Sequence, residues 1–171
     1  MHKTFGAPSL LDRLTMRQPK VVRAVDNVSL RLLERSTLGL VGESGSGKTT
    51  LARLIVGLES ADRGHMELLN VPLPNALDQR TPELLRSLQM IFQNPNDTLN
   101  PYQTLGAQIA RTIKRLGDKS LSKAAIKAQV ADLLQAVRLP ADYANRYANE
   151  LSGGEKQRVA IARAFSTHPA L

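Results

Sequence analysis

The residues Val28, Leu30 and Leu32 alternate with polar neighbours across 25–33, and this period of two predicts a half-buried strand. The next apolar stretch, Thr37-Leu38-Gly39-Leu40-Val41, is continuous and runs into a glycine-rich loop, as a strand covered on both faces of a parallel sheet does. A helix follows, with Leu51, Leu54, Ile55 and Leu58 on one stripe and Gly57 close to its end. After the turn formers Ser60-Ala61-Asp62-Arg63-Gly64, a strand is predicted through Met66, Leu68 and Leu69. Thr81-Pro82-Glu83 reads as a capped helix start with proline at the first helical position. Leu88 to Phe92 reads as another strand, stopped by Gln93-Asn94-Pro95. From about Leu105 to Leu139 the period becomes helical, with Ile109, Ile113 and Leu116 on one stripe and Ile126, Val130, Leu133, Leu134 and Val137 on another. The order of elements predicts an α/β domain carrying a helical insert.

Composition narrows the class. With 42% hydrophobic and 22% charged residues in 171, the chain fits one globular domain. No run reaches the ~18 apolar residues of a membrane span, and Met1-His2-Lys3-Thr4-Phe5-Gly6 lacks the apolar segment of a secretory signal, so a cytoplasmic location is expected. The absence of cysteine excludes disulfides, thiolate metal sites and cysteine nucleophiles. A net charge of +8 suits nucleic acid, anionic lipid or phosphate-rich ligands, but the basic residues are scattered, as on a solvated face. An aromatic content of 4% argues against a base-stacking platform.

The loop Gly42-Glu43-Ser44-Gly45-Ser46-Gly47-Lys48-Thr49, followed by Thr50, matches G-x-x-x-x-G-K-[ST] and lies between a predicted strand and a predicted helix. Glycines let the backbone curl so that successive N–H groups face phosphate oxygens, and the helix N-terminus adds its positive end. In this pattern Lys48 bridges the β- and γ-phosphates and the Thr49 hydroxyl ligates Mg²⁺. Nucleotide binding is thereby expected, with kinase, GTPase, motor and transporter ATPase all still open.

A second Ser-Gly-Gly turn opens the stretch Leu151-Ser152-Gly153-Gly154-Glu155-Lys156-Gln157-Arg158, followed by the apolar-striped Val159 to Phe165. Together with the phosphate loop it resembles the signature of the ATP-binding cassette (ABC) family. That resemblance implies a P-loop NTPase core of parallel sheet and flanking helices, with an N-terminal antiparallel β segment and an inserted α-helical subdomain. It divides the chain into a β-rich P-loop core over 1–92, a Q-loop and helical subdomain over about 93–153, and a signature helix over 154–171. It also implies that Ser152, Gly153 and Gly154 contact the γ-phosphate of ATP held by a partner's P-loop. Met90-Ile91-Phe92-Gln93-Asn94-Pro95 resembles the family's Q-loop, in which Gln93 reaches Mg²⁺ and the attacking water and couples to the membrane subunit. Phe92-Gln93-Asn94-Pro95 with Leu99-Asn100-Pro101, and Ala24-Val25-Asp26-Asn27-Val28-Ser29, resemble the di- and oligopeptide importer branch, although Tyr147-Ala148-Asn149-Glu150 departs from the Tyr-Pro-His-Glu frequent there. The family stacks adenine on an aromatic residue upstream of the P-loop. No tyrosine precedes Tyr102, which leaves Phe5 as the candidate.

The family's next element, a buried strand ending in Asp-Glu, is not found within the 171 residues. The nearest acidic residues with apolar positions before them are Asp26, after Val-Arg-Ala-Val, and Asp12, after Ser-Leu-Leu. His168 precedes the place of that strand and is therefore expected to be a surface histidine near a helix end rather than the switch histidine. These readings lead to the expectation of a fragment of a longer subunit that binds ATP but hydrolyses it poorly alone. The resemblance implies pairing with a second ABC ATPase domain, as homodimer or heterodimer, and docking on transmembrane permease subunits at the inner face of the membrane. A solute-binding protein acts indirectly, and no nucleic acid is expected. A nucleic-acid-associated ABC ATPase, a small-molecule kinase and a non-catalytic nucleotide-binding remnant remain as alternatives.

Overall fold

The computed structural model describes residues 1–6 and 21–171, so Asp12 lies outside the described residues. The chain divides into two compact units, Met1–Arg80 and Thr81–Leu171.

In the first unit, β1 (Lys3–Phe5) pairs antiparallel with β2 (Val22–Val25), Lys3 opposite Val25 and Phe5 opposite Val22. This is the expected N-terminal antiparallel segment, but it ends earlier than the alternation predicts. Asn27 takes φ 51°, a left-handed turn that breaks a ladder, and 28–33 runs on without strand pairing. The Met1 ammonium donates to the Val28 carbonyl at 2.7 Å and the Val28 N–H donates to the Met1 carbonyl at 3.1 Å.

Helix α1 (Lys48–Val56) places Leu51 and Leu54 in a small core with Val25, while Ile55 is part-buried and Leu58, past the helix end, is half exposed. β3 (Glu67–Leu68) and β4 (Val71–Pro72) form a hairpin whose two turn residues, Leu69 and Asn70, have φ of 52° and 63°. A two-residue hairpin loop with both φ positive has the twist that matches its strands. Only Asn70 is a residue that favours it.

One expectation is corrected here. The run Thr37–Val41 is not a strand buried on both faces: among the described residues it joins no ladder, Leu38 and Leu40 are exposed, and Val41 is 98% exposed. An interior parallel strand is held by ladders on both sides. No such neighbour is present among the described residues, so the apolar run stays unpaired and uncovered.

The second unit is helical: α2 (Pro82–Ser87), α3 (Leu105–Leu116), α4 (Lys123–Ala136) and α5 (Gly153–Phe165). Each start carries a hydroxyl cap. Thr81, Thr104, Ser122 and Ser152 accept from the N–H groups of Leu84, Ala107, Ala125 and Glu155. The predicted stripes converge: Ile109 and Ile113 of α3, Ile126, Val130 and Leu134 of α4, and Val159 and Ala162 of α5 make one core. Gln108, buried beside them, accepts from the Asn100 N–H and donates to the carbonyls of Asn100 and Gln103, all at 2.9 Å. These bonds tie the segment before α3 to the helix.

The predicted strand 88–92 forms no ladder among the described residues. At its start the Gln89 N–H donates to the Leu171 carbonyl at 2.9 Å and the Leu171 N–H donates to the Ser87 carbonyl at 3.0 Å. That alternate exchange is the register of a parallel pair.

Candidate functional site

The first site is built on the start of α1. Gly47 caps the helix at φ 90°, with no side-chain cap and no acidic residue in the first turn. The leading N–H groups of α1 thus meet no side-chain acceptor, and the positive end of the helix dipole is left for an anion. A Cβ on Gly47 would stand 2.0 Å from the Ala24 carbonyl oxygen of β2, so only glycine lets the loop pass so close to that strand.

Lys48 arches over its own loop. Its ammonium donates to the carbonyls of Gly42 at 2.7 Å and Glu43 at 2.6 Å, and to Ser46 Oγ at 3.1 Å. The Ser46 N–H donates to the Glu43 carbonyl at 3.2 Å, closing a turn through Ser44 and Gly45. Glu43, Ser44, Gly45 and Thr49 are exposed, and Thr50 is part-buried. The eight motif positions thus run from this exposed loop into the first turn of α1, where Gly47 and Lys48 are part-buried.

Phe5 closes β1 opposite Val22, two positions along β2 from the Ala24 that underlies Gly47. Its ring is 38% exposed, with the Lys3 ammonium 5.2 Å from the ring centroid. Asp62 fixes Lys3 and accepts from the Thr4 N–H at 2.7 Å, and that backbone hydrogen bond is the main reason its carboxyl titrates below the ordinary range.

The second site lies at the start of α5 in the helical unit. Ser152 Oγ donates to Glu155 Oε2 at 2.7 Å, and the Ser152 N–H donates to the same oxygen at 2.8 Å. In return the Glu155 N–H donates to Ser152 Oγ at 3.4 Å, which completes a capping box. The Tyr143 hydroxyl donates to Glu155 Oε1 at 2.8 Å. With the Ser152 hydroxyl first, then its N–H, then Tyr143, these donors hold Glu155 at a pKa of about 2. Ser-x-x-Glu spacing signals the box in the sequence. Tyr143 has no such signal, because a chain reversal brings it in.

Because the folded pKa of Glu155 is depressed, its stabilisation is complete above the ordinary glutamate pKa of about 4.3 and is lost as pH falls through about 2. The unfolding midpoint of Glu155→Gln is expected below that of the unaltered chain at pH 6, with the gap closing between about pH 4 and pH 2. A gap independent of pH contradicts the ionised box.

Gly153 and Gly154 differ from Gly47. Neither has a positive φ; a Cβ on Gly153 meets nothing within 4 Å, and one on Gly154 meets only Arg158 Nη1 at 3.8 Å. Nothing in this chain requires glycine there. What their bareness leaves is an open approach to the α5 N-terminus.

Gln93 sits exposed at a bend in the second unit. The turn just after it is tied to α5, since Lys156 Nζ donates to Asn96 Oδ1 at 2.9 Å and the Arg163 guanidinium donates to the Thr98 carbonyl. These two ties carry no sequence signal, being separated by 60 and 65 positions. His168 is exposed just past α5, its N–H donating to the Phe165 carbonyl at 3.1 Å, as expected of a surface histidine at a helix end. A cavity of about 550 Å³ in the same unit, lined by Arg86, Ile113, Leu121, Leu133 and Ala136 among others, contains none of the sequence-derived site residues. Among the described residues no cluster of three His, Asp or Glu side chains could hold a metal, and no helix is long and apolar enough to cross a membrane.

The chain matches the family model for ABC transporter over residues 25–171. It is 42% identical to the oligopeptide transport ATP-binding protein OppF of Escherichia coli (strain K12), over 90% of this chain and 46% of that protein. It is 37% identical to the di/tripeptide transport ATP-binding protein DppF of Pseudomonas aeruginosa (strain UCBPP-PA14), over 86% of this chain and 45% of that protein. The chain thus spans about half the length of the curated relatives it matches. Among solved structures it resembles the ATP-binding cassette MJ0796 in a dimeric post-hydrolysis state bound to ADP and Pi. That likeness has a TM-score of 0.78 at 27% identity, covering 98% of this chain and 68% of that one. The α/β P-loop fold expected from the sequence is therefore the fold of its structural neighbours.

Proposed function

The chain belongs to the ABC transporter family, and from that premise we propose that it is the ATP-binding part of a subunit that powers import of peptides or related small solutes. The observation that carries this reading is the uncapped N-terminus of α1 with Lys48 folded across its own loop. Here ATP takes the place of three acceptors. Lys48 leaves two neutral carbonyls and a hydroxyl for charged phosphate oxygens, which form the stronger hydrogen bonds. Backbone N–H groups of Gly45, Gly47, Lys48, Thr49 and Thr50 bind the phosphates beside it, within the loop begun by Gly42, Glu43, Ser44 and Ser46.

The exposed Thr49 hydroxyl has the hard-oxygen chemistry that Mg²⁺ accepts, with the nucleotide phosphates supplying further oxygens. When bound with ATP, Mg²⁺ neutralises phosphate charge. The family resemblance assigns Gln93 a role toward Mg²⁺ and in orienting water. Phe5 is assigned to adenine, a role its exposed ring supports.

The bare Gly153 and Gly154 support a site completed in trans, in which the α5 N-terminus of one ABC domain approaches the γ-phosphate held by another. Ser152 contributes its hydroxyl there by turning from Glu155, which still accepts from the Ser152 N–H and from Tyr143. Closure of that dimer would act on membrane permease subunits, a role that calls for a peripheral position at the inner face of the cell membrane. The 171-residue polypeptide is expected to bind ATP with little turnover, since its sequence contains no Asp-Glu pair.

Titration of a fluorescent ATP analogue with Mg²⁺ into the chain and into Lys48→Ala tests the site. The loss of charge-assisted hydrogen bonds should weaken binding roughly 10- to 100-fold. Equal affinity for the two proteins would reject the phosphate site.

A further inference from the structure

At the far end of α1 stands a buried cation for which the reading above has no role. Arg80 is 5% exposed, the one charged side chain among the described residues that is so buried. None of the ion pairs among the described residues includes it. Its donors go to carbonyls instead: Nη1 to Ile55 at 2.7 Å, Nε to Pro74 at 2.9 Å and Nη2 to Leu54 at 3.5 Å.

Leu54 and Ile55 belong to the last turn of α1, where a helix leaves carbonyls short of partners and its dipole is negative; the Leu54 carbonyl also accepts from the Gly57 N–H at 3.2 Å. The fit is close. Gly57 ends the helix at φ 84°, and a Cβ on it would lie 2.8 Å from Arg80 Cζ, so the guanidinium occupies the space that the missing side chain leaves. Removing an arginine from water without a counter-charge is costly, and burial accordingly lowers its pKa. Two of the three hydrogen bonds serve one end of one helix, the third holding the segment at Pro74, and the other end of that helix carries Lys48 and the amides assigned to phosphate.

We infer that Arg80 is a positioning residue for nucleotide binding: by bracketing the final carbonyls of α1 it sets where the helix presents its N-terminal amides and Lys48. The inference rests on the nucleotide-binding reading of that loop. A helix of nine residues is about 13 Å long and stiff, so a shift or fraying at its last turn reaches the first. Phosphate oxygens need donors at about 2.7–3.1 Å, and binding constellations tolerate displacements of only about 0.5 Å.

The test compares affinities for a fluorescent ATP analogue with Mg²⁺ in the full chain and in Arg80→Ala, Arg80→Lys and Arg53→Met. All are measured at a temperature where their far-ultraviolet spectra coincide. Arg53 is an exposed cation in the same last turn, so Arg53→Met removes charge there without touching the bracket. Expected are roughly tenfold weaker binding for Arg80→Ala, an intermediate loss for Arg80→Lys, and a change within about twofold for Arg53→Met. Sub-denaturing guanidinium chloride, but not sodium chloride at equal ionic strength, should restore part of the affinity of Arg80→Ala by refilling the bracket. The inference is overturned if the folded Arg80 variants bind as tightly as the unaltered chain, or if Arg53→Met loses as much as they do. Should Arg80→Ala fail to fold, Arg80→Lys decides by the same comparison. Failure of the unaltered chain to bind ATP overturns the nucleotide reading itself, and this inference with it.

Discussion

Gly47→Ala is expected to lower affinity for ATP at least ~100-fold. Two effects act at one atom. The residue takes φ 90°, a conformation that costs an L-residue roughly 1–3 kcal/mol. The new Cβ would also lie 2.0 Å from the Ala24 carbonyl oxygen, well inside contact distance, so the loop or β2 must move by about an ångström. Because the displaced amides are those proposed to meet phosphate, the damage should fall on binding more than on helix content. Isothermal titration with ATP and Mg²⁺, paired with a far-ultraviolet spectrum, separates the two. Binding within a few-fold of the unaltered chain would show that the close approach to Ala24 is not maintained in solution. Gly153→Ala is a useful contrast, since open space surrounds that position and the fold of a single chain should accept the methyl group.

Leu134→Ala should have the largest effect on stability. The side chain is fully buried where α3, α4 and α5 meet, and truncating such a leucine costs about 2.7–5 kcal/mol, through lost transfer energy and the cavity left behind. For a unit of this size that corresponds to a fall in melting temperature of about 10 °C or more. Lys127→Ala, on the exposed face of the same helix, should change stability by no more than about 0.5 kcal/mol. Thermal unfolding followed by far-ultraviolet dichroism compares them. Similar melting temperatures for the two variants would mean that the helical core does not pack as described.

Nucleotide affinity and helical-core stability therefore fail separately, one through the backbone of a loop and the other through apolar volume. The Arg80 bracket stands between these cases: it acts through hydrogen bonds to a backbone end, at a distance from the ligand.

Features set by neighbours in the chain were legible before any coordinates. The phosphate loop, the Thr81-Pro82 helix start, the Ser-Gly-Gly turn at Ser152 and the stripes of α3 and α4 each depend on residues a few positions apart. Local backbone preference and a period near 3.6 are enough to announce them. Strands were less legible. The alternation at 28–33 and the apolar run at 37–41 carry strand-like patterns, yet neither forms a ladder among the described residues, because a strand is completed by its neighbours.

By itself, then, the sequence determined the two glycine-rich turns, the family to which their combination points, and the helices that carry them. Tertiary structure alone decided that Gly47 passes close against the Ala24 carbonyl, that Tyr143 reaches Glu155, and that Arg80 closes the far end of α1. The physical reason is separation along the chain. Each of these contacts joins residues 12 to 25 positions apart, through a backbone carbonyl or a single hydrogen bond that leaves no periodic trace.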